Sequence, residues 1–338
     1  MRSAIFCILL CSLTGCAHTA VVTCLEPAEI DVAGMNRIAV ADFSGEQGEA
    51  IAAVLSNRLW ENRFYTVVDR SELTSEIQTA SYSEGSSLQG VLAAAHKANV
   101  DGVIVGNIIE YRCDDLVLGA TDIDVDIFSQ ADPEGNSPSA NSAIDIDFNQ
   151  VVRREGSVTI AFRLVDVETG EIRAAKQVSK NYQGEQVNDQ GDLPTQGEVL
   201  QMLTGQCLDE VVKMLAPHET DCEMKFASCD FWTKGSASVR KGLKAVEKGD
   251  WNGAEDHWTQ AIQQNPKNHA AMFNLSIAAA RKQEYDIAEQ YVLDALKLEH
   301  KTCYTTGLEK IRERRTAWTR AIDQRDARVV TAAESLWQ

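Results

Sequence analysis

A single change of hydrophobic period does most to limit what this chain can fold into. Up to about residue 216, short apolar runs alternate with stretches of helical spacing; from about 230 to 300 only helical spacing remains, and it recurs. In the first part, Arg37–Phe43 (RIAVADF) reads as a strand ending at Ser44-Gly45, and Ile51, Val54, Leu55 and Leu59 mark a helix over 47–62. Phe64–Val68 is a second strand. Asp69 or Ser71 can cap the helix that follows it, and a further helix covers 86–98. Asp101–Tyr111 is a long strand, and Val158–Val167 turns at Thr169-Gly170 into Ile172–Tyr182 as a hairpin. A helix near 195–215 closes this part. The pattern predicts an α/β fold over 30–216, a mixed sheet with covering helices, followed by an all-α helical-repeat domain.

The second part has a spacing of 34 residues. Gly242, Ala254, Trp258, Ala261 and Pro266 sit at tetratricopeptide-like positions, and Met272, Leu275, Ser276, Ala288, Val292 and Ala295 follow in a second copy. The reason is steric: small residues let two helices cross closely, Trp258 fills the gap beneath, and Pro266 ends the second helix. Such repeats take peptides or helices on their concave face. The plainer reading is a helix pair that packs on the first domain. Residues 301–338 read as one more helix, with Arg312-Glu313-Arg314-Arg315 on a solvated face. His257 and His269 are expected to face solvent. Residues 217–229 read as a linker.

Residues 1–15 stand outside both parts. Arg2 opens a short apolar run, Ile5–Leu10, too brief to cross a bilayer, and Leu13-Thr14-Gly15-Cys16 follows. This resembles the lipobox of bacterial lipoproteins. The resemblance implies cleavage before Cys16, acylation of Cys16 (palmitate among the chains) and a tether over 16–29. Ala17 after the cysteine favours the periplasmic face of the outer membrane. Several acyl chains hold stably where one does not.

Without Arg2, 31 basic residues face 50 acidic ones, a net charge of −19. That balance argues against nucleic acid and bare anionic lipid as partners. Beyond Cys16, six cysteines remain: Cys24, Cys113, Cys207, Cys222, Cys229 and Cys303. An even number in an exported chain suggests disulfides, with Cys222 and Cys229 the pair favoured by proximity. Buried free thiols are the alternative.

The runs IAVADF, RFYTVVDRSELTSEI, ANVDGVIVGNIIEY and VTIAFRLVDVETGEIRAAKQVSK, in that order, resemble the periplasmic domain of the curli production assembly/transport lipoproteins (CsgG-like) over about 150 residues. The resemblance implies a homo-oligomer. Channel relatives form rings in which each subunit gives two β-hairpins to one barrel. Here the acidic 113–156 insertion offers one such hairpin: Asp122–Phe128 and Ile144–Phe148 alternate strictly around a polar turn. No second hairpin is legible, because Gln183–Glu198 is short, polar and without alternation. From Cys113 to Gln150 there are nine acidic residues and no basic one. Three readings of the insertion therefore stand open: a membrane hairpin, an exposed hairpin or loop, and a calcium site using Asp122, Asp124, Asp126, Asp145 and Asp147.

No catalytic motif is present: there is no G-x-S-x-G, phosphate loop or H-E-x-x-H, and no cofactor is implied. Two functions follow. One is a non-enzymatic outer-membrane lipoprotein acting as a homo-oligomer in envelope assembly or export of surface material. The other is a lipid-tethered scaffold that recruits an envelope protein or peptide through its repeats, without a channel.

Overall fold

The computed structural model describes residues 18–30, 32, 34–69, 88–129, 140–188, 190–229 and 232–335, the backbone alone over the parts of these that fall in 120–149 and 327–335. The chain divides into two compact units, Glu29–Ala216 and a second built from the segments Met1–Ala28 and Pro217–Gln338. Cys16 and the proposed cap Ser71 lie outside the described residues.

In Glu29–Ala216 the strands are β2 (Arg37–Val40), β3 (Thr66–Val67), β4 (Gly102–Ser129), β5 (Ala140–Asp166) and β6 (Ile172–Val187). The helices are α1 (Gly48–Asn62), α2 (Leu88–Lys97) and α3 (Gln196–Leu215). The sheet order is β3-β2-β4-β5-β6, with β2 parallel to β3 and β4 and the rest antiparallel. This is a mixed sheet, as the alternating periods require. One core joins Leu55 and Leu59 of α1, Val199, Leu203 and Val211 of α3, and Ile104, Val158, Ile160 and Phe162 of the sheet. Each such side chain contributes about 1.5–3 kcal/mol by leaving water. A smaller core on Ala39, Ala41 and Val103 is closed by Ala94 and Ala95 of α2.

Local chemistry sets the ends of these elements. Thr195 Oγ1 accepts from the Glu198 backbone N–H at 3.3 Å, while Glu198 Oε2 accepts from the Thr195 N–H at 2.7 Å, a reciprocal cap that starts α3. The β5–β6 turn is built by Asp166. Its Oδ1 accepts from the backbone of Glu168 and Thr169 at 3.1 and 3.0 Å, and Oδ2 accepts from Arg173. Gly170 takes φ +72°, where a side chain would be strained. Burial pushes the Asp166 carboxyl up, but the hydrogen bonds from Thr169 and the Arg173 guanidinium outweigh it and hold the group below the usual carboxylate range.

Several strands differ from the sequence expectation here, β5 beginning at Ala140 rather than Val158 and β6 ending at Val187 rather than Tyr182 among them. The second strand shrinks to Thr66–Val67, because its neighbour among the described residues is the short β2. The long strand expected to stop at Tyr111 runs on to Ser129, since β5 pairs with it throughout.

The other unit holds β1 (His18–Glu26), β7 (His218–Phe226), α4 (Ser236–Glu247), α5 (Trp251–Gln264), α6 (His269–Arg281), α7 (Tyr285–Leu298) and α8 (Thr302–Ser335). The residues expected to be tether and linker, 18–26 and 218–226, are instead an antiparallel pair running from His18↔Phe226 to Glu26↔His218. Each is a short alternating stretch that gains its partner only across an inserted unit, so neither announces itself locally. The helices pack in sequence as α4 on α5, α5 on α6, α6 on α7 and α7 on α8.

Candidate functional site

β4 and β5 pair far beyond the sheet they belong to. β6 leaves at Val151↔Val187, yet β4–β5 pairing continues from Gly119↔Gln150 to Ser129↔Ala140. That is about 11 residues a strand, a two-stranded ribbon roughly 36 Å long at 3.3 Å per residue. The register puts Asp122 opposite Asp147 and Asp124 opposite Asp145. Ile123 is opposite Ile146, and Val125 is opposite Ile144. Because directly opposed residues share a face, the two alternations are in phase. Those four aspartates fall on one face with Asp126, and Ile123, Val125, Ile144 and Ile146 on the other.

The ribbon is anchored at its base. Arg154 of β5 donates to Asp115 of β4 through Nε to Oδ1 and Nη2 to Oδ2, both at 2.6 Å, and also to the Pro194 carbonyl. This bidentate bond from Arg154 holds the Asp115 carboxyl below its usual range. Arg153 pairs with Glu185 at 2.6 Å. Arg112 bonds Glu110 at 2.5 Å, and that bond, with a second from Ser157, lowers the Glu110 carboxyl. Around these charges Leu116, Val117, Leu118 and Val187 are exposed. The sequence reading missed this collar. Its one signal was the run Leu116-Val117-Leu118 directly after Asp114-Asp115.

The five candidate calcium aspartates are thus brought together by backbone register, while their side chains lie outside the described set. Among the described residues, no group of three or more His, Cys, Asp or Glu is arranged to hold a metal.

The second region is the helical unit. Gly242 of α4 faces Trp258 of α5 so closely that an added Cβ would lie 2.3 Å from the indole Nε1. Ala254, Trp258 and Ala261 are fully buried, and Pro266 lies in the α5–α6 connection. Trp258 Nε1 donates to the Val239 carbonyl at 3.3 Å, and Phe226 stacks on Trp258 at 5.7 Å. β1 and β7 lie against α4, α6 and α8, with Val22, Cys24, Cys222, Met224 and Phe226 in one core with Val239, Phe273, Ile277, Tyr304 and Leu308. Asn274 secures the end of β7, bonding the Ala227 N–H and carbonyl at 2.8 and 2.9 Å. β1 and β7 therefore cover part of the surface of the helical unit.

Two further expectations are corrected, those for Cys222 and His269. The Cys222–Cys229 bond is not formed: Cys222 is a buried free thiol, turned by strand alternation into the core beside Cys24. The basic stretch of α8 is on a solvated face as expected, with Arg312, Glu313 and Arg315 exposed, and it is ion-paired there. Arg312 bonds Glu289 at 2.5 Å, Arg315 bonds Asp286 at 2.8 Å, and Arg314 pairs with Glu26. His269 does not merely face solvent; its Nδ1 is 2.7 Å from the Tyr304 hydroxyl.

No family model and no curated protein matches the chain. Among solved structures it is similar to the PelC dodecamer from Paraburkholderia phytofirmans, at 15% identity and TM-score 0.27 over 58% of this chain and 96% of that one. It is similar to the lipoprotein GNA1162 from Neisseria meningitidis, at 13% identity and TM-score 0.28 over 52% and 97%. A third similarity is to the LpoB C-terminal domain from Salmonella enterica, at 13% identity and TM-score 0.26 over 45% and 87%.

Proposed function

We propose that this chain is a non-enzymatic lipoprotein of the outer membrane's periplasmic face, held by lipid on Cys16, that works as a homo-oligomer in the assembly or export of surface material. The observation that carries the reading is the ribbon's in-phase register. A lone two-stranded ribbon is at best marginally stable in water, and one with a mostly apolar face needs a cover. Its outer edges also offer unpaired backbone groups. A second copy supplies both needs, edge for edge and face for face. The curli-secretion resemblance of the flanking strands supports the same reading. The scaffold alternative has less support, because β1 and β7 already occupy part of the helical surface.

Complementation tests this. In cells lacking the gene, a chain with 119–150 replaced by a short turn is made and anchored but leaves surface material undelivered. Full restoration by the shortened chain would contradict the proposal.

A further inference from the structure

β1 and β7 lie on either side of Glu29–Ala216 in the chain and pair with each other, so whatever fastens them fastens the N-terminal strand to the helical unit. The register pairs Val22 with Cys222 and Cys24 with Thr220. Cys24 and Cys222 are therefore diagonal neighbours on the inward face. Both are buried, at 9% and 7% exposure, in the core of the helical unit. Cys24 Sγ lies 3.9 Å from the carbonyl of Val22, the residue directly opposite Cys222. The strong twist of a two-stranded ribbon shortens one of its diagonals, and a disulfide needs side chains that converge in this way. We propose that Cys24 and Cys222 are a redox pair that closes as a cross-strand disulfide and locks β1 to the helical unit. In the cell this rests on the export reading above, since an oxidising compartment is required.

The chemistry is two thiol–disulfide exchanges with a disulfide oxidant such as oxidised glutathione. One thiolate attacks the oxidant, breaking its S–S bond, forming a mixed disulfide and releasing one thiolate. The second cysteine attacks the protein sulfur of that mixed disulfide, forming the Cys24–Cys222 bond and releasing the other thiolate. The two cysteine protons end on the two released thiols, and two electrons pass to the oxidant. Burial, aided by the neighbouring Cys24, pushes the Cys222 thiol up to about 12, so the packed reduced pair attacks slowly. Closure thus belongs to folding, before β1 seats. Once made, the bond encloses a loop holding the whole of Glu29–Ala216, the long-loop case in which a cross-link most restricts the unfolded chain.

The test refolds the reduced full chain in oxidised and reduced glutathione, quenches with acid, alkylates, digests and weighs the peptides. The expected result is a joined pair bearing Cys24 and Cys222, two hydrogens lighter than the free peptides and separated by reductant. In Cys24→Ser the Cys222 peptide is expected to be alkylated. Alkylation of both cysteines in the unaltered chain, or bonding of either to a different cysteine, would overturn the proposal. The same digest of chain recovered from cells separates the two claims. A pair that closes in glutathione but is open in cells supports the redox pair and counts against export.

Discussion

Gly242 shows how much a single residue decides here. Its missing Cβ leaves room for the Trp258 indole, which in turn carries Phe226 of β7. Gly242→Ala is expected to lower urea stability by about 1–3 kcal/mol, the range for overpacking a filled site. Gly197, in the first turn of α3, has nothing within 4 Å of an added Cβ. Gly197→Ala is expected to be neutral or to stabilise by about 0.4–1 kcal/mol, since it only restricts the unfolded chain. Equal losses from both would contradict the packing account. Asp115 gives a pH signature. Its folded carboxyl is depressed by Arg154, so the stability it contributes is present above the unfolded value and lost as pH falls through the folded one. Melting curves of the full chain and Asp115→Asn should differ at neutral pH and converge in acid. A gap that survives acidification would assign the difference to something other than this ion pair.

At the scale of elements, the sequence foretold the parts that carry their own pattern. α1, α3, the Asp166–Gly170 turn and the α4–α7 helices all announce themselves through local period, caps or a glycine that must take positive φ. It did not foretell what depends on a distant partner. β4 was expected to end at Tyr111, just before the charged Arg112–Asp115, yet Arg154 arrives opposite Asp115 and pairs with it. β1 and β7 stayed hidden for the same reason. The candidate site was half legible: the alternation of Asp122–Phe128 and Ile144–Phe148 was visible, but not that register brings the two into phase. Ile123→Asp with Ile146→Asp, which places acid on the aliphatic face, is expected to abolish copy-to-copy cross-linking by a short amine-reactive reagent while leaving the circular dichroism of the sheet and helices in place. Cross-linking as strong as in the unaltered chain would remove the aliphatic face from the interface.

For the whole molecule, lipid and ribbon are proposed to do different work, one attaching the chain and the other joining copies. Cys16→Ser should therefore shift the chain from the membrane fraction to the soluble periplasmic fraction. A variant that stays with the membrane would show that the lipid is not the anchor. The central claim, that the β4–β5 ribbon joins copies of this chain, is tested most directly by mass. Light scattering should be run on the detergent-extracted full chain and on the chain with 119–150 replaced by a turn. The account predicts a discrete multimer for the first and a monomer for the second. A monomer in both, or the same multimer in both, would contradict it.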